Sequence, residues 1–110
     1  MNNAEYAVIL ITASSGEEAR RISMALLEKR KAACVNIVPK VDSLYWWQGK
    51  IESAAESLLV VKTRVSLVDD VVGLVKGIHS YEVPEIIALP IVAGNPDYLE
   101  WMGKELDAGS

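Results

Sequence analysis

Apolar and polar side chains alternate most clearly over residues 33–63, ACVNIVPKVDSLYWWQGKIESAAESLLVVKT. In the second half the charges Glu52, Glu56 and Lys62 fall on even positions, while Ile51, Ser53, Ala55, Ser57, Leu59, Val61 and Thr63 take the odd ones. In the first half Ala33, Val35, Ile37 and Val41 are odd, and Asn36, Lys40 and Asp42 are even. A period of two predicts a pair of half-buried strands, folded back at Gln48 and Gly49, where glycine accepts the positive φ of a primed turn. Such a turn pairs Trp47 with Lys50, Tyr45 with Glu52 and Val41 with Glu56. Odd residues then oppose even ones, and the two apolar faces fall on opposite sides of the ribbon. A shared core forbids this, because a slip of one residue turns a whole strand face around. One extra residue in the first strand restores the match, so the pattern predicts a bulge near Pro39, whose nitrogen has no proton to give the ladder. Val35 and Ile37 then share a core with Leu59 and Val61. The tip around Tyr45, Trp46 and Trp47 projects beyond the body.

The remaining periodicities fill in the chain. A continuous apolar run over residues 6–13 reads as a central strand buried on both faces. Ser14 and Ser15, each followed three residues later by Glu17 or Glu18, give two overlapping capping-box registers that start a helix. Ala19, Ile22 and Leu26 are its core stripe, and Lys29, Arg30 and Lys31 close it with positive charge. Ser66 with Asp69 is a second capping signal, followed by Leu67, Val71, Leu74 and Ile78 at helical spacing up to Gly77. Residues 79–85, HSYEVPE, form a polar and aromatic connection, and a last core strand is expected over 85–92, with Pro90 marking an edge or bulge. Asn95 as cap and Pro96 in the first turn begin a short terminal helix with Tyr98, Leu99, Met102 and Leu106 on its apolar side. Strand, helix, strand, strand, helix, strand is the split βαβ, ferredoxin-like α+β pattern with a long hairpin between its second and third strands and an extra C-terminal helix. Right-handed crossovers put both main helices on one sheet face. The other face needs a cover, and a neighbouring subunit is the simplest one.

Composition narrows the function. A length of 110 residues fits one domain over 1–110, and 51% hydrophobic residues are many for a small monomer. No apolar run approaches the roughly 20 residues that span a bilayer. The surplus therefore points to subunit contacts. A net charge of −4 carries no footprint for nucleic acid. The N-terminus has no basic start, and its apolar run is shorter than a signal-peptide core, which places the protein in the cytoplasm. With one cysteine, Cys34, and one histidine, His79, one chain has no internal disulfide and no CxxC site.

Three stretches, ACVNIVPKVDSLYWWQGKIE, ESLLVVKT and HSYEVPEIIALPI, together resemble the CutA divalent-cation-tolerance family over nearly the whole chain. The family's cysteine-containing opening, its Y-x-W-x-G-K-(I/L)-E hairpin tip and its H-P-Y-E-x-P-E loop all have counterparts. One position departs: Ser80 stands where the family usually has proline, which is expected to loosen the loop after His79. The resemblance implies a ferredoxin-like fold assembled as a homotrimer, related in architecture to the PII nitrogen regulators, that binds copper and similar divalent ions and responds to them.

On that resemblance His79 is the centre of a weak metal site, with Cys34 and Glu82 as helpers. His and Cys both suit copper, but one of each is too few for a closed site in a monomer. A competing reading makes Cys34 a small buried strand residue. Trp47, Lys62, Tyr81 and Glu85 are carried over as the lining of a cleft between subunits for a small polar ligand; the competing reading is an interface ion pair of Lys62 with Glu85 and a packing anchor at Trp47. Other users of this topology fit poorly. The loop TASSGEE has no CxxC of a metallochaperone and no arginine of an acylphosphatase, and IESAAESLL has no aromatic platform for RNA. No nucleophile with an adjacent base is legible, so the expectation is a protein without catalytic activity. The alternative function is a PII-like signalling scaffold that binds a small anionic metabolite.

Overall fold

The computed structural model describes residues 4–108. Strand β1, Tyr6–Ala13, leads to helix α1, Gly16–Glu28; strands β2, Cys34–Trp47, and β3, Lys50–Arg64, form the long ribbon. A 3₁₀ turn, Val65–Leu67, enters helix α2, Val68–Ile78, and strand β4, Ile86–Pro90, is followed by helix α3, Pro96–Asp107. The sheet is antiparallel in the order β2-β3-β1-β4, the ferredoxin-like arrangement, with β1 central. Among the described residues no helix is long and apolar enough to cross a membrane.

The ribbon obeys the parity requirement. Trp47 pairs with Lys50, Tyr45 with Glu52 and Val41 with Glu56. Val38 then pairs with Leu58, so Pro39 and Lys40 together oppose the single residue Ser57. The Ser57 hydroxyl donates to the Pro39 carbonyl at 3.2 Å, fixing the bulge from within the sheet. At the tip Gln48 (φ 51°) and Gly49 (φ 80°) are both left-handed, as a type I′ turn requires. The ribbon reaches past the body, and the radius of gyration, 14.5 Å, exceeds the about 13 Å expected of a compact chain this long.

Helices α1 and α2 share one sheet face. Ile9, Ile11 and Ala13 of β1, Leu59 and Val61 of β3, Ala19, Ile22 and Leu26 of α1 and Val71 and Val75 of α2 form one core, with Val35 and Ile37 packed against it. The stripe of α2 is centred on Val71 and Val75, and Ile78 is exposed. Its expected Ser66 cap is not made, because the 3₁₀ turn moves the helix start to Leu67 and no side chain caps it. At the end of α1 Lys29 is the C-cap and Arg30 is left-handed. Lys31 N–H donates to Leu26 and Arg30 N–H to Leu27, a Schellman closure. The basic side chains turn outward to acids of other elements, Arg30 to Glu105 and Lys31 to Asp70.

Strand β4 is shorter than its apolar run and ends at Pro90 on the sheet edge. Helix α3 begins as expected, with Asn95 Oδ1 accepting from Asp97 N–H at 3.0 Å. It lies on the sheet face opposite α1 and α2. A Cβ built on Gly103 would meet the Tyr6 hydroxyl at 2.6 Å and Arg64 Nη2 at 3.0 Å, so this glycine brings α3 close to the ends of those two side chains, which would have to shift to admit a larger residue. Tyr6 and Arg64 are partners across β1 and β3, on the side that Ile9 and Val61 do not face. Among the described residues no other helix covers that face, on which Val38, Ile87 and Leu89 are exposed and Val8, Leu10 and Val60 half-buried.

Candidate functional site

The bulge prepares the site. Beyond Pro39 the ribbon curls past the segment that follows α2, and a cleft opens between them. One cavity of about 450 Å³ is lined by Thr12, Asp42, Ser43, Leu44, Tyr45, Glu56, Tyr81, Val83 and Glu85. A second, of about 310 Å³, is lined by Tyr45, Trp47, Tyr81, Glu82 and Val83. Tyr45, Tyr81 and Val83 line both. The walls hold three aromatic rings and the four carboxylates Asp42, Glu56, Glu82 and Glu85, with no basic side chain. Glu56 is nine-tenths buried and accepts the Tyr81 hydroxyl at 2.8 Å. Burial first, and then this bond to a carboxylate, push the Tyr81 phenol up to about 12.

The order of the following loop comes from His79 and Glu18. The His79 side chain is fully buried. Its Nε2 lies 2.8 Å from the Thr12 carbonyl and must donate there, while Nδ1 accepts from Tyr81 N–H at 3.0 Å. This fixes a neutral tautomer with both nitrogens engaged. The ring also lies against Tyr81, with centroids 4.8 Å apart.

Glu18 was legible only as a helix cap. Ser15 does cap α1, accepting from Glu18 N–H at 3.1 Å. The Glu18 carboxylate, however, accepts from Ser14 N–H and Oγ at 2.9 Å each and from Ser80 N–H at 2.7 Å and Oγ at 3.1 Å. Burial by itself would raise this carboxyl, but the four donors outweigh it and lower it from 4.5 to about 2. The expected loosening at Ser80 is therefore corrected. A serine here offers two donors where a proline has no N–H, and both tie the loop to α1. Glu18 and Glu56 are the residues that sequence reasoning missed, since a charge at a helix start or on an even strand position reads as solvated. In Glu56 the signal was its place opposite Val41, just above the predicted bulge.

Of the residues expected to hold a ligand, Tyr81 lines both cavities, Trp47 the smaller and Glu85 the larger. Lys62 is elsewhere. Its Nζ bonds Asn36 Oδ1 and lies 3.9 Å from Cys34 Sγ, and the Tyr98 hydroxyl of α3 bonds the same thiol. Burial, and then the thiol, raise the Tyr98 phenol. An ion pair of Lys62 with Glu85 does not form within one chain. The three expected metal donors are not brought together either. Cys34 is level with Lys62 on β3, whereas Thr12, which holds His79, is level with Leu58. Four residues of strand, roughly 13 Å, separate the two. Among the described residues no group of three or more His, Cys, Asp or Glu side chains is placed to hold a metal ion.

A ferredoxin-like α+β sheet with a projecting ribbon, a cleft walled by acids and aromatic rings, and an open apolar face defines the class: a small α+β protein on a ferredoxin-like scaffold. The chain belongs to the CutA1 divalent ion tolerance protein family, whose pattern matches residues 7–105. It is 52% identical over 95 residues to the divalent-cation tolerance protein CutA of Thermus thermophilus, covering 86% of this chain and 92% of that one. The solved structure of the periplasmic divalent cation tolerance protein CutA from Archaeoglobus fulgidus superposes with a TM-score of 0.90 at 46% identity, covering 93% of this chain and 99% of that one. A longer relative, the chloroplastic protein CutA 1 of Oryza sativa, is 48% identical over 95 residues, which are 86% of this chain. The chain spans about half the length of such plant and mammalian relatives, 54% of the rice protein and 56% of the mouse protein. The family is described by tolerance of divalent ions and not by a catalysed reaction.

Proposed function

We propose that the chain, as one domain over 1–110, works as a cytoplasmic homotrimer without catalytic activity that binds divalent cations, copper among them, in the response to metal ions. The observation that carries this reading is the cleft, with Asp42, Glu56, Glu82 and Glu85 on its walls and no cation to balance them. Carboxylate oxygens attract divalent ions. Within one chain the donors do not fit a closed metal site, since His79 is committed at both nitrogens and Cys34 lies at the far end of the strands. The binding is therefore weak and shared between chains. Glu82, exposed at the mouth of the cleft, is a donor as it stands; His79 has to give up a hydrogen bond to serve, and Cys34 contributes only where chains meet. Trp47, Tyr81 and Glu85 shape the cleft, and Lys62 borders the chain contact. The name of the Archaeoglobus relative includes the periplasm and that of the rice relative the chloroplast; the cytoplasm is proposed here from the sequence.

Copper titration by calorimetry on the wild type, Glu82→Gln and His79→Ala, with mass followed by light scattering, tests this reading. Saturable binding by a three-chain particle, weakened about tenfold or more in either variant, is the expected result. A trimer that takes up no copper in a saturable way would end the metal reading. The alternative, a PII-like scaffold for an anionic metabolite, needs a cation in the cleft, and within one chain Lys62 does not reach it. Lys62→Ala should then abolish stabilisation by the metabolite and leave copper affinity unchanged.

A further inference from the structure

We propose that Glu18 is the positioning residue of the cleft: its buried carboxylate latches residues 79–82 to the start of α1 and so holds Tyr81 and Glu82 in the cleft wall. That the cleft is where a ligand sits rests on the function proposed above; the latch itself rests on geometry.

A capping glutamate needs only to satisfy donors of its own helix start, and Ser15 already caps α1. Glu18 instead gathers donors from two segments far apart in sequence, Ser14 before the helix and Ser80 after α2. Only 3% of it is exposed. A charge so buried persists only where it is fully hydrogen-bonded. Both oxygens face donors: Oε1 receives Ser14 N–H, Ser14 Oγ and Ser80 Oγ, and Oε2 receives Ser80 N–H with Arg21 Nη2 at 3.6 Å. The neighbouring His79 Nδ1 is 3.9 Å from Oε2 and donates nothing to it, being the acceptor of Tyr81 N–H. An amide in place of the carboxylate would turn its NH₂ toward a donor in either orientation.

What the latch holds is the point where the loop turns into the cleft. Ser80 sits between His79, anchored on β1, and Tyr81, anchored on Glu56 of β3. The path Ser14, Glu18, Ser80, Tyr81, Glu56 therefore runs from α1 across to the ribbon, and every link after Ser80 shapes the cavity. Without the tie from Ser80 to Glu18, residues 80–83 keep only the bonds of Tyr81 and a long 3.5 Å contact of Ser80 Oγ with Ser14 Oγ, and the wall shared by both cavities loses its fixed place.

Amide hydrogen exchange on the full chain tests this with Glu18→Gln, Ser80→Ala and the double variant, each followed by copper titration. In Glu18→Gln the amides of Ser80 and Tyr81 should exchange at least tenfold faster, while Leu26 and Val61 in the core keep their protection. Ser80→Ala, which loses one of the two ties, should speed residues 80 and 81 by a smaller factor and add nothing further in the Glu18→Gln background, as expected of two groups in one interaction. If Glu18→Gln does not fold, the local acceleration in Ser80→Ala decides. Unchanged protection at 80 and 81, or a rise spread evenly through Leu26 and Val61, would overturn the latch and leave Glu18 as part of the general fold. Faster local exchange without any copper binding in the wild type would uphold the latch and sink the metal reading.

Discussion

Glu18 shows how one residue's meaning changes with its surroundings. The spacing Ser15, Glu18 marks a helix start in any sequence, and the helix does start there. The second partner, Ser80, is 62 residues away and invisible to any local pattern. A consequence follows for pH. The carboxyl is held at about 2 in the folded chain against 4.5 when free. Because the folded value is the lower one, this stabilisation is fully present above pH 4.5 and is lost as pH falls toward 2. Over that window it amounts to about 3 kcal/mol. Acid unfolding followed by circular dichroism should show the wild type losing that much more stability between pH 5 and 2 than Glu18→Gln. Equal acid sensitivity in the two would mean that the carboxylate is not the group being titrated. His79 followed the same pattern as Glu18. Its place in a polar loop suggested an open ligand, yet both ring nitrogens are used to fasten that loop.

At the scale of elements the ribbon was the most legible part, because a period of two and one proline leave few registers. The pairs Trp47 with Lys50 and Val41 with Glu56, and the extra residue at Pro39, followed from requiring both strands to share one core. Gly49 at φ 80° fixes the start of that register. A Cβ there meets no atom within 4 Å, so the cost of Gly49→Ala is conformational and not steric crowding. It should be about 1 kcal/mol, readable as a lower urea midpoint with an unchanged slope; no shift would mean that the turn is not left-handed at that residue. Less was legible in α2. The expected stripe Leu67, Val71, Leu74 and Ile78 is turned slightly by packing against α1 and β3, so that Val71 and Val75 are fully buried, Leu74 packs at the margin of the core and Ile78 is exposed. The Ser66 cap failed for a similar reason, since the tight 3₁₀ turn out of β3 used the residue before the helix could.

For the whole molecule the sheet face left open beside α3 is the surface on which the proposed assembly would rest. Ladder partners place Cys34, Lys62, Val8 and Leu89 in one row, Asn36, Val60, Leu10 and Ile87 in the next, and Val38, Leu58 and Thr12 in a third. Helix α3 covers only the end of this surface, and Val38, Ile87 and Leu89 are each 40–51% exposed. A continuous apolar face of this kind marks an interaction surface. Ile87→Lys puts a charge in its second row without touching the core, so for the homotrimer proposed above the fold should persist while the mass seen by light scattering falls from three chains to one. A mutant that stays assembled would place the contact elsewhere. The sequence by itself determined the order of elements, the register of the ribbon with its bulge, and the helix starts at Ser15 and Asn95, because each depends on steric and periodic rules that act within a few residues. Family membership was legible too, through three stretches of side chains kept in order. The tertiary structure alone decided which polar groups are buried. It drew Tyr81, Glu56 and Glu85 to one cleft, sent Lys62 to the thiol, and turned Glu18 from a cap into a tie, because such meetings depend on where strands and loops from opposite ends of the chain come to rest.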